Sequence, residues 1–380
     1  MKILIWAPFI NKVGTTTNVL NSISAIKKYS ENNKYIIDLV DVFGEWDKHK
    51  FHTNEVNKIK LLNNKFIFKS KKTGYLRSRF FYLLIFLFSI IPLFKLLKKN
   101  NYDYLIIHLI TSLPIFLMNF LNIKKKLILC IAGFPKLNLL RKSFWKFSKK
   151  NIYKVVCPSE ETKDLLLKKS IFNDNKMYVI YDPHINIKRI QEKKNDPSGN
   201  LFETSKEYIV AIGRLTKQKN YIFLLKAFKQ ILKIKKNLNL LIIGEGEDRK
   251  EIEKTLINLN KKNNVFLLGY QKNIYRYLKK SKCYLSASIW EGPDLAMLDS
   301  AFLNVPIICS DCKSGRKEFI GTNKRGYIFK TNDLKSLLDQ FNNFLNEKPE
   351  NVKQKLIEAK KEVRNFSLFR YYLKITKLLT

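Results

Sequence analysis

Acidic residues are scarce in this sequence. Its 380 residues include 32 Asp and Glu against 71 Lys and Arg, which gives a formal net charge of +39. Such an excess of positive charge favours an anionic partner, either a nucleic acid or a membrane surface, although a lysine-rich composition without any binding role gives the same count. Hydrophobic residues make up 46% of the chain, which excludes a disordered protein, and the length favours two domains.

Cysteine is scarce as well, and the spacing of the cysteines does not indicate a disulfide framework. The five residues Cys130, Cys157, Cys283, Cys309 and Cys312 are odd in number and lie mostly inside apolar runs. The single C-x-x-C has no second pair and no nearby histidine, so neither a zinc site nor a redox site is expected. The first ten residues also lack the cleavage site of a secretory signal. These features predict buried thiols in a reducing compartment.

Uncharged runs long enough to span a membrane are rare. Residues 80–94 are uncharged for 15 residues and have basic residues on both sides, whereas a spanning helix needs about 20. Three interpretations stay open for this segment: a buried helix, an interfacial helix lying on a membrane surface, and a true span. Residues 104–123 are longer but contain a helix-start pattern before Pro114, so they predict a strand followed by a helix.

Apolar runs alternate with amphipathic segments along most of the chain, which is typical of parallel strands joined by crossover helices. A polar stretch at residues 188–206 predicts a linker, after which the alternation restarts. We therefore expect two doubly wound, Rossmann-like α/β lobes at residues 1–187 and 207–362. A C-terminal helix at 363–380 is expected to pack back on the first lobe. A ligand would bind in the cleft between the lobes, at the carboxyl ends of the strands.

Two cations follow a predicted strand in the segment "AIGRLTKQKN". Gly213 ends the strand, and Arg214 and Lys219 precede a helix that starts near Asn220. Cations beside a helix start suit a diphosphate, although a basic surface loop in a very basic protein has the same appearance. The later segment "IIGEGEDR" matches neither G-x-G-x-x-G nor a P-loop, so it indicates only a strand, a turn and a helix.

Two acids flank an apolar segment in "WEGPDLAMLDSAF". A helix is predicted to begin within residues 293–296, where free backbone N–H groups could hold a phosphate. Asp299 would lie about one turn into this helix, where a carboxylate can accept hydrogen bonds from two vicinal hydroxyls of a ribose. Glu291 would face the other end of a bound nucleotide sugar.

The order of these segments resembles the retaining family 4 glycosyltransferases of the GT-B fold, of the type that builds bacterial surface polysaccharides. The family signature is a glutamate, seven residues and a second glutamate. The resemblance covers nearly the whole chain and rests on "GTTTNVL", "DYLIIHLITSLP", "IAGFPKLN", "CPSEETKDLL", "GRL…K…KN", "LLIIGEGEDR", "VFLLGY" and "WEGPDLAMLDSA…VPIICSDCKSGRKE".

The resemblance implies a role for each matching residue. Glu291 is the catalytic acid that faces the donor sugar, His108 lies near the sugar as a second catalytic residue, and Asp299 binds the ribose. His108 could equally be a core histidine. Six residues would bind the donor diphosphate: Arg214, Lys219, Leu295, Ala296, Gly14 and Thr15.

The sequence departs from the family pattern in three places. Asp299 stands where glutamate is usual, the first loop has Gly14 where two glycines are common, and "EGPD" replaces a commoner loop. The chain contains no D-x-D, so a metal-held diphosphate is not expected, and no cofactor is implied. The two cations and the helix start would stabilise charge on the leaving diphosphate.

The resemblance implies a retaining glycosyltransferase that uses a nucleotide sugar, with UDP favoured over GDP, and a lipid-linked or saccharide acceptor. Its pathway would be the synthesis of lipopolysaccharide, O-antigen or capsule. The protein would be cytoplasmic and peripheral on an anionic membrane surface, without a nucleic-acid partner. A sugar-nucleotide epimerase of the same fold stays open as an alternative. A basic RNA-binding protein also stays open, although no RNA-binding motif is present.

Overall fold

The computed structural model describes residues 1–10, 14–31, 34–47, 49, 56–62, 75–196, 207–260, 263–292, 294–313 and 315–380. Its contacts divide the chain into two compact units. The first unit contains Met1–His184 together with Leu368–Thr380, and the second unit contains Ile185–Ser367. Each unit is built around one parallel sheet.

The first unit has a seven-stranded sheet in the order β3-β2-β1-β4-β5-β6-β7. Its strands are β1 (Lys2–Trp6), β2 (Ile36–Asp41), β3 (Val56–Lys60), β4 (Tyr104–Ile107), β5 (Lys126–Cys130), β6 (Lys154–Cys157) and β7 (Met177–Val179). Its first five helices are α1 (Gly14–Tyr29), α2 (Tyr75–Lys99), α3 (Ser112–Phe120), α4 (Leu139–Ser148) and α5 (Glu160–Lys168). Strands such as "KILIW" and "KLILC" are apolar almost throughout, because helices cover both faces of a parallel sheet.

The second unit has a six-stranded sheet in the order β10-β9-β8-β11-β12-β13. Its strands are β8 (Glu207–Ile212), β9 (Leu238–Ile243), β10 (Val265–Leu267), β11 (Tyr284–Ser286), β12 (Ile307–Ser310) and β13 (Tyr327–Phe329). Its helices are α6 (Ile187–Lys194), α7 (Tyr221–Ile234), α8 (Arg249–Asn258), α9 (Tyr275–Lys280), α10 (Leu295–Phe302), α11 (Arg316–Ile320), α12 (Leu334–Asn346) and α13 (Pro349–Val363). The two doubly wound parallel sheets confirm the predicted fold class.

The boundaries between the units differ in detail from the predicted ones. Within the predicted linker at 188–206, residues up to Lys194 belong to α6, which caps its first turn through Asn186 and packs on α9. Residues 197–206 lie outside the described residues. The last helix, α14 (Leu368–Thr376), returns to the first unit and packs on α1, where Tyr371 and Ile375 join the core of that sheet.

Each sheet has one point at which its strand order reverses. In the first sheet this point lies between β1 and β4, and in the second it lies between β8 and β11. The loops that leave two such strands run in opposite directions, which opens a crevice at the carboxyl ends where ligands of open α/β sheets bind. The residues that follow β1, β4, β8 and β11 are therefore the first candidates for function.

The segment at 80–94 lies within α2, which is longer than the uncharged stretch and contains Pro92. One face of α2 is buried, and Ile85 and Leu93 pack in the same cluster as Leu4 and Trp6 of β1. The opposite face remains exposed and apolar. Within the described residues, α2 alone is long and apolar enough to cross a bilayer, although its buried face belongs to the core of the first unit.

Candidate functional site

Glycines bring together the two loops that follow β8 and β9. A Cβ atom added to Gly244 would lie 1.9 Å from the carbonyl oxygen of Gly213, and one added to Gly246 would lie 2.2 Å from that of Leu215. Gly213 and Gly244 also have φ angles of 155° and 148°. The sequence predicted only a turn at "GEGEDR", whereas the structure shows a backbone contact that no larger residue could make.

Four charged side chains form a buried cluster beyond the ends of β8, β11 and β12. The Lys219 Nζ lies 2.6 Å from the Glu291 Oε1 and 4.0 Å from the Asp294 Oδ1. The Arg316 Nη2 pairs with the Asp294 Oδ2 and lies 3.6 Å from the Glu291 Oε1. Arg316 is 0% exposed. The cluster holds two positive and two negative groups, which is how a protein interior tolerates buried charge.

Serine hydroxyls surround the guanidinium of Arg316. The Nη1 donates to the Ser310 Oγ at 2.8 Å, and the Nη2 donates to the Ser286 Oγ at 2.6 Å. The Ser288 Oγ donates to the Glu291 Oε1 at 2.6 Å, which links the arginine network to the acid. Ser286 ends β11 and Ser310 ends β12, so the order of neighbouring strands positions these hydroxyls.

The charges in the cluster stabilise one another. Burial alone would raise the pKa of Asp294, but Lys219 and Arg316 outweigh it and hold the pKa below its usual value. Burial would lower the pKa of Lys219, but Glu291 and Asp294 outweigh it and raise the pKa. The pKa of Arg316 is raised in the same way, with Asp294 as the strongest favourable neighbour. All three groups are therefore ionised at neutral pH.

The start of α10 lies against this cluster. Asp294 caps the helix, because its Oδ1 accepts a hydrogen bond from the Met297 amide at 3.4 Å. Leu295 and Ala296 occupy the first two helical positions, whose amides have no partner within a helix. These amides lie where the sequence predicted a phosphate site, although Pro293 lies outside the described residues.

The second signature acid is less accessible than the sequence predicted. Asp299 lies on α10 but is only 3% exposed, so its carboxylate is not open to solvent. Burial raises the pKa of Tyr275, and the charge of Asp299 adds to that rise, which places this tyrosine of α9 near the acid.

Arg214 differs from Lys219 in its surroundings. It is exposed and forms no hydrogen bond or ion pair with another residue in the described part of the chain. Lys219, in contrast, is held by Glu291, and its side chain lies where a Cβ on Gly213 would be, 2.5 Å from the Lys219 Cε. An anion could pair with Arg214 without breaking a contact, whereas it would compete with Glu291 for Lys219.

The other predicted residues lie in the first unit, at the reversal point of its sheet. Gly14 and Thr15 begin α1, which follows β1, and His108 directly follows β4. Burial lowers the pKa of His108 to about 4, so its imidazole is neutral at pH 7. The next two residues, Leu109 and Ile110, have φ angles of 24° and 43°. Backbone strain of this kind is concentrated at functional sites.

Asp294, Arg316 and the serines around them were not predicted from the sequence. A polar pair, Ser286 and Ser288, at the end of the buried strand β11 was a usable signal, since the alternation places both on one face. Arg316 gave no such signal. It lies 22 residues from Asp294 in the sequence, and a single arginine does not stand out among 71 Lys and Arg residues. Within the described ranges, no group of three or more His, Cys, Asp or Glu could hold a metal ion.

The second unit is similar in sequence to known glycosyltransferases. Residues 192–363 match the family described as glycosyl transferases group 1. An uncharacterized glycosyltransferase of Methanocaldococcus jannaschii is 35% identical over 173 residues, which are 44% of this chain and 41% of that protein. The chain thus matches about two fifths of that relative's length.

Two further similarities extend into the first unit. The UDP-Gal:alpha-D-GlcNAc-diphosphoundecaprenol alpha-1,3-galactosyltransferase of Escherichia coli is 27% identical over 322 residues, covering 76% of this chain and 78% of that one. The crystal structure of Anabaena HepE in complex with UDP superposes with a TM-score of 0.73 at 12% identity, covering 100% and 99% of the two chains. The fold is that of the GT-B glycosyltransferases.

Proposed function

We propose that this protein is a retaining glycosyltransferase. It would move a sugar from a nucleotide diphosphate, with UDP favoured, to a lipid-linked or saccharide acceptor. The observation that carries the proposal is the pairing of Lys219 with Glu291 beside the start of α10, within a domain matched by glycosyl transferases group 1. The Escherichia coli relative supports the choice of donor and acceptor, since its name includes UDP-Gal and a diphosphoundecaprenol acceptor.

The proposed mechanism begins with recognition of the diphosphate. Arg214 is exposed and ready to pair with a phosphate, and the amides of Leu295 and Ala296 offer donors at a helix start. Lys219 would share its ammonium between Glu291 and the diphosphate. As the bond between sugar and diphosphate breaks, these groups stabilise the negative charge on the leaving diphosphate. This supply of positive charge makes a metal ion unnecessary in the proposal.

Binding of the donor would also change the partner of Glu291. In the structure its Oε1 is occupied by Lys219 and Ser288, and its Oε2 accepts from the Gln218 Nε2 at 3.2 Å. When a diphosphate draws Lys219 away, Glu291 loses a strong neighbour and can bind a hydroxyl of the donor sugar. Glu291 would thus stay paired with Lys219 until the donor binds.

The remaining assignments rest on the family resemblance. Asp299 would bind the ribose, which requires the side chains that cover it to move, since it is 3% exposed. His108 would contact the donor sugar in its neutral form, as donor or acceptor of a hydrogen bond. Gly14 and Thr15 would serve the donor phosphates. We place the reaction in bacterial surface-polysaccharide synthesis, on the inner face of the cytoplasmic membrane.

The test is a panel of UDP-, GDP-, ADP- and CMP-sugars, scored by thermal shift and by slow release of nucleotide. Wild-type protein is compared with Arg214→Ala and Glu291→Ala, and with Lys217→Ala as a matched control, because Lys217 is an exposed cation in the same loop. We expect one selective donor, with turnover in Arg214→Ala reduced roughly 100-fold, a loss of about 3 kcal/mol. Nucleotide release that needs an added acceptor would argue against an epimerase.

Normal turnover in Arg214→Ala would refute the assignment of the diphosphate site. An equal loss in Lys217→Ala would show that the loop's total charge matters rather than the position of Arg214.

A further inference from the structure

The first unit has a second concave site, at the edge of its sheet opposite to the candidate functional residues. A cavity of about 750 Å³ lies where β4, β5, β6 and β7 begin. It is therefore at the amino ends of the strands, whereas His108 follows the carboxyl end of β4. Ends of the helices that precede these strands complete its wall, with Met118 and Asn122 from the region of α3.

Lysines dominate the lining, and we call this site the lysine cavity. Six line it: Lys124, Lys125, Lys126, Lys150, Lys154 and Lys176. The one acid in the lining, Asp103, already accepts a hydrogen bond from the backbone amide of Lys2 at 2.8 Å. None of the six lysines forms an ion pair with an acid in the part of the chain that the structure describes. A concave surface lined by six lysines and one acid carries an excess of positive charge, which attracts polyanions.

Aromatic rings and carbonyls hold several of these lysines in place. Lys126 and Lys154 donate to the hydroxyls of Tyr104 and Tyr178 at 3.2 and 3.1 Å, and both ammonium groups lie near the ring of Tyr153, at 5.2 and 5.3 Å. The Lys176 Nζ donates to two backbone carbonyls at 2.8 Å each. Burial, together with the charge of Lys149, lowers the pKa of Lys176. An added anion would therefore meet cations that are already positioned.

An exposed apolar surface lies on α2, the helix that ends just before the lysine cavity. On α2, one helical stripe is exposed, and Ile91 reaches 64%. We call this stripe the apolar stripe; its residues are Phe80, Leu83, Leu87, Phe88 and Ile91.

Lysines continue the apolar stripe towards the end of α2, where Lys95, Lys98 and Lys99 are exposed. The next residues, Asn101 and Tyr102, line the lysine cavity.

Aromatic contacts also run from α2 through α3 to α4, towards the lysine cavity. Phe86 of α2 contacts Phe116, which contacts Phe120, and Phe120 stacks on Phe147 of α4, with ring centroids 5.7, 4.9 and 5.9 Å apart. Phe120 and Phe147 are exposed. Asn122 and Lys150, which follow these two helices closely, line the cavity. Apolar and cationic surfaces thus meet along one border of the first unit.

We propose that the lysine cavity binds the phosphate headgroup of an anionic phospholipid while the apolar stripe lies in the acyl region of the same leaflet. Charge complementarity and the continuity of the two surfaces favour a bilayer over a soluble anion, because a soluble anion would leave the apolar stripe uncovered. The inference gives the proposed membrane attachment a specific surface. It does not depend on the chemistry of sugar transfer.

The experiment measures partitioning of the full-length protein onto vesicles, without donor or acceptor. Vesicles of equal parts phosphatidylglycerol and phosphatidylcholine are compared with pure phosphatidylcholine. The variant Lys124→Gln/Lys150→Gln removes two exposed cavity lysines that form no hydrogen bond or ion pair among the described residues. The matched control, Lys233→Gln/Lys236→Gln, removes two exposed lysines from the second unit.

We expect the cavity variant to partition about thirty-fold more weakly onto the anionic vesicles, because each Lys near such a surface contributes about fivefold. The control should change less than about threefold, because its lysines belong neither to the lysine cavity nor to the apolar stripe. Leu87→Ser/Ile91→Ser should weaken binding without removing its dependence on salt.

Equal losses in the cavity variant and the control would overturn the proposal, and so would equal binding to neutral vesicles. A calorimetric titration with inorganic pyrophosphate covers the soluble alternative. Pyrophosphate binding that disappears in the cavity variant while its vesicle binding stays intact would assign the site to a soluble anion. A donor panel that fails while vesicle binding behaves as expected would leave this inference standing.

Discussion

The buried pair of Asp294 and Arg316 gives the sharpest test of the site. Replacing Asp294 with Asn keeps the size of the side chain and its ability to cap α10, since Asn is as good an N-cap as Asp. The change removes one charge and leaves the guanidinium of Arg316, which is 0% exposed, without its closest carboxylate. Any loss of stability then reports the charge and the hydrogen bond to Arg316, and not the cap.

The expected cost follows from the surroundings of Arg316. Removing one partner of a buried ion pair costs about 3–5 kcal/mol, because the other charge stays buried. Here Glu291 remains 3.6 Å from the Arg316 Nη2, and Ser286 and Ser310 still accept its hydrogen bonds. We therefore expect Asp294→Asn to lower the free energy of unfolding of the second unit by about 3 kcal/mol, the lower end of that range.

The assay is urea unfolding combined with hydrogen exchange of residues 286–310, which assigns the loss to this part of the second unit. Arg316→Met and the double variant complete a double-mutant cycle. The surface control is Glu253→Gln, which breaks a pair with Arg249 whose N–O distance is 2.9 Å and should cost at most about 0.5 kcal/mol. A coupling energy between Asp294 and Arg316 below about 0.5 kcal/mol would refute the reasoning.

Three further predictions concern neighbouring residues. Gly244→Ala should destabilise the second unit by more than about 2 kcal/mol, measured by urea unfolding, because its Cβ would lie 1.9 Å from the Gly213 carbonyl oxygen; an unchanged stability would contradict the close contact. Glu291→Gln should bind UDP about tenfold more tightly, because Lys219 loses its competitor, while turnover falls at least 100-fold; weaker binding by calorimetry would contradict this. The pKa of His108 is about 4 in the folded state against 6.5 as the reference, so its contribution to stability is complete above pH 6.5 and lost as pH falls towards 4; His108→Gln should remove that part of the pH dependence of unfolding.

The fold could be predicted because strand and helix patterns are local properties of the sequence. Apolar runs of the length of β1 and β9, separated by amphipathic segments, leave few arrangements other than parallel sheets with crossover helices. The pairing of Lys219 with Glu291 follows from the same rule, since each comes after a strand of one parallel sheet and the carboxyl ends of its strands share one edge.

What could not be predicted depends on side chains that meet through the tertiary fold. Asp294 and Arg316 come together because β11 and β12 are neighbours and each leads into a helix at the same edge. Asp299 has the spacing of a ligand residue, but packing of α10 against α9 and α13 buries it. Whether α2 is a buried helix, an interfacial helix or a membrane span could not be predicted for the same reason. Its two faces have similar apolar composition, and only the fold decides which one is buried.

Arg316 also resolves an apparent conflict at the start of α10. A phosphate is attracted to a helix N-terminus, but here the capping residue is an acid, which would repel it. Because Arg316 pairs with Asp294 from the buried side, the negative charge of the cap is compensated before any ligand arrives. The electrostatic field that a diphosphate would meet is then set by the free amides, by Arg214 and by Lys219. The contribution of Lys219 depends on how far its ammonium leaves Glu291. If the double variant Asp294→Asn/Arg316→Met, which removes both charges of the pair, bound UDP much more tightly than wild type, this compensation would be incomplete and the cap itself would limit the affinity for the donor.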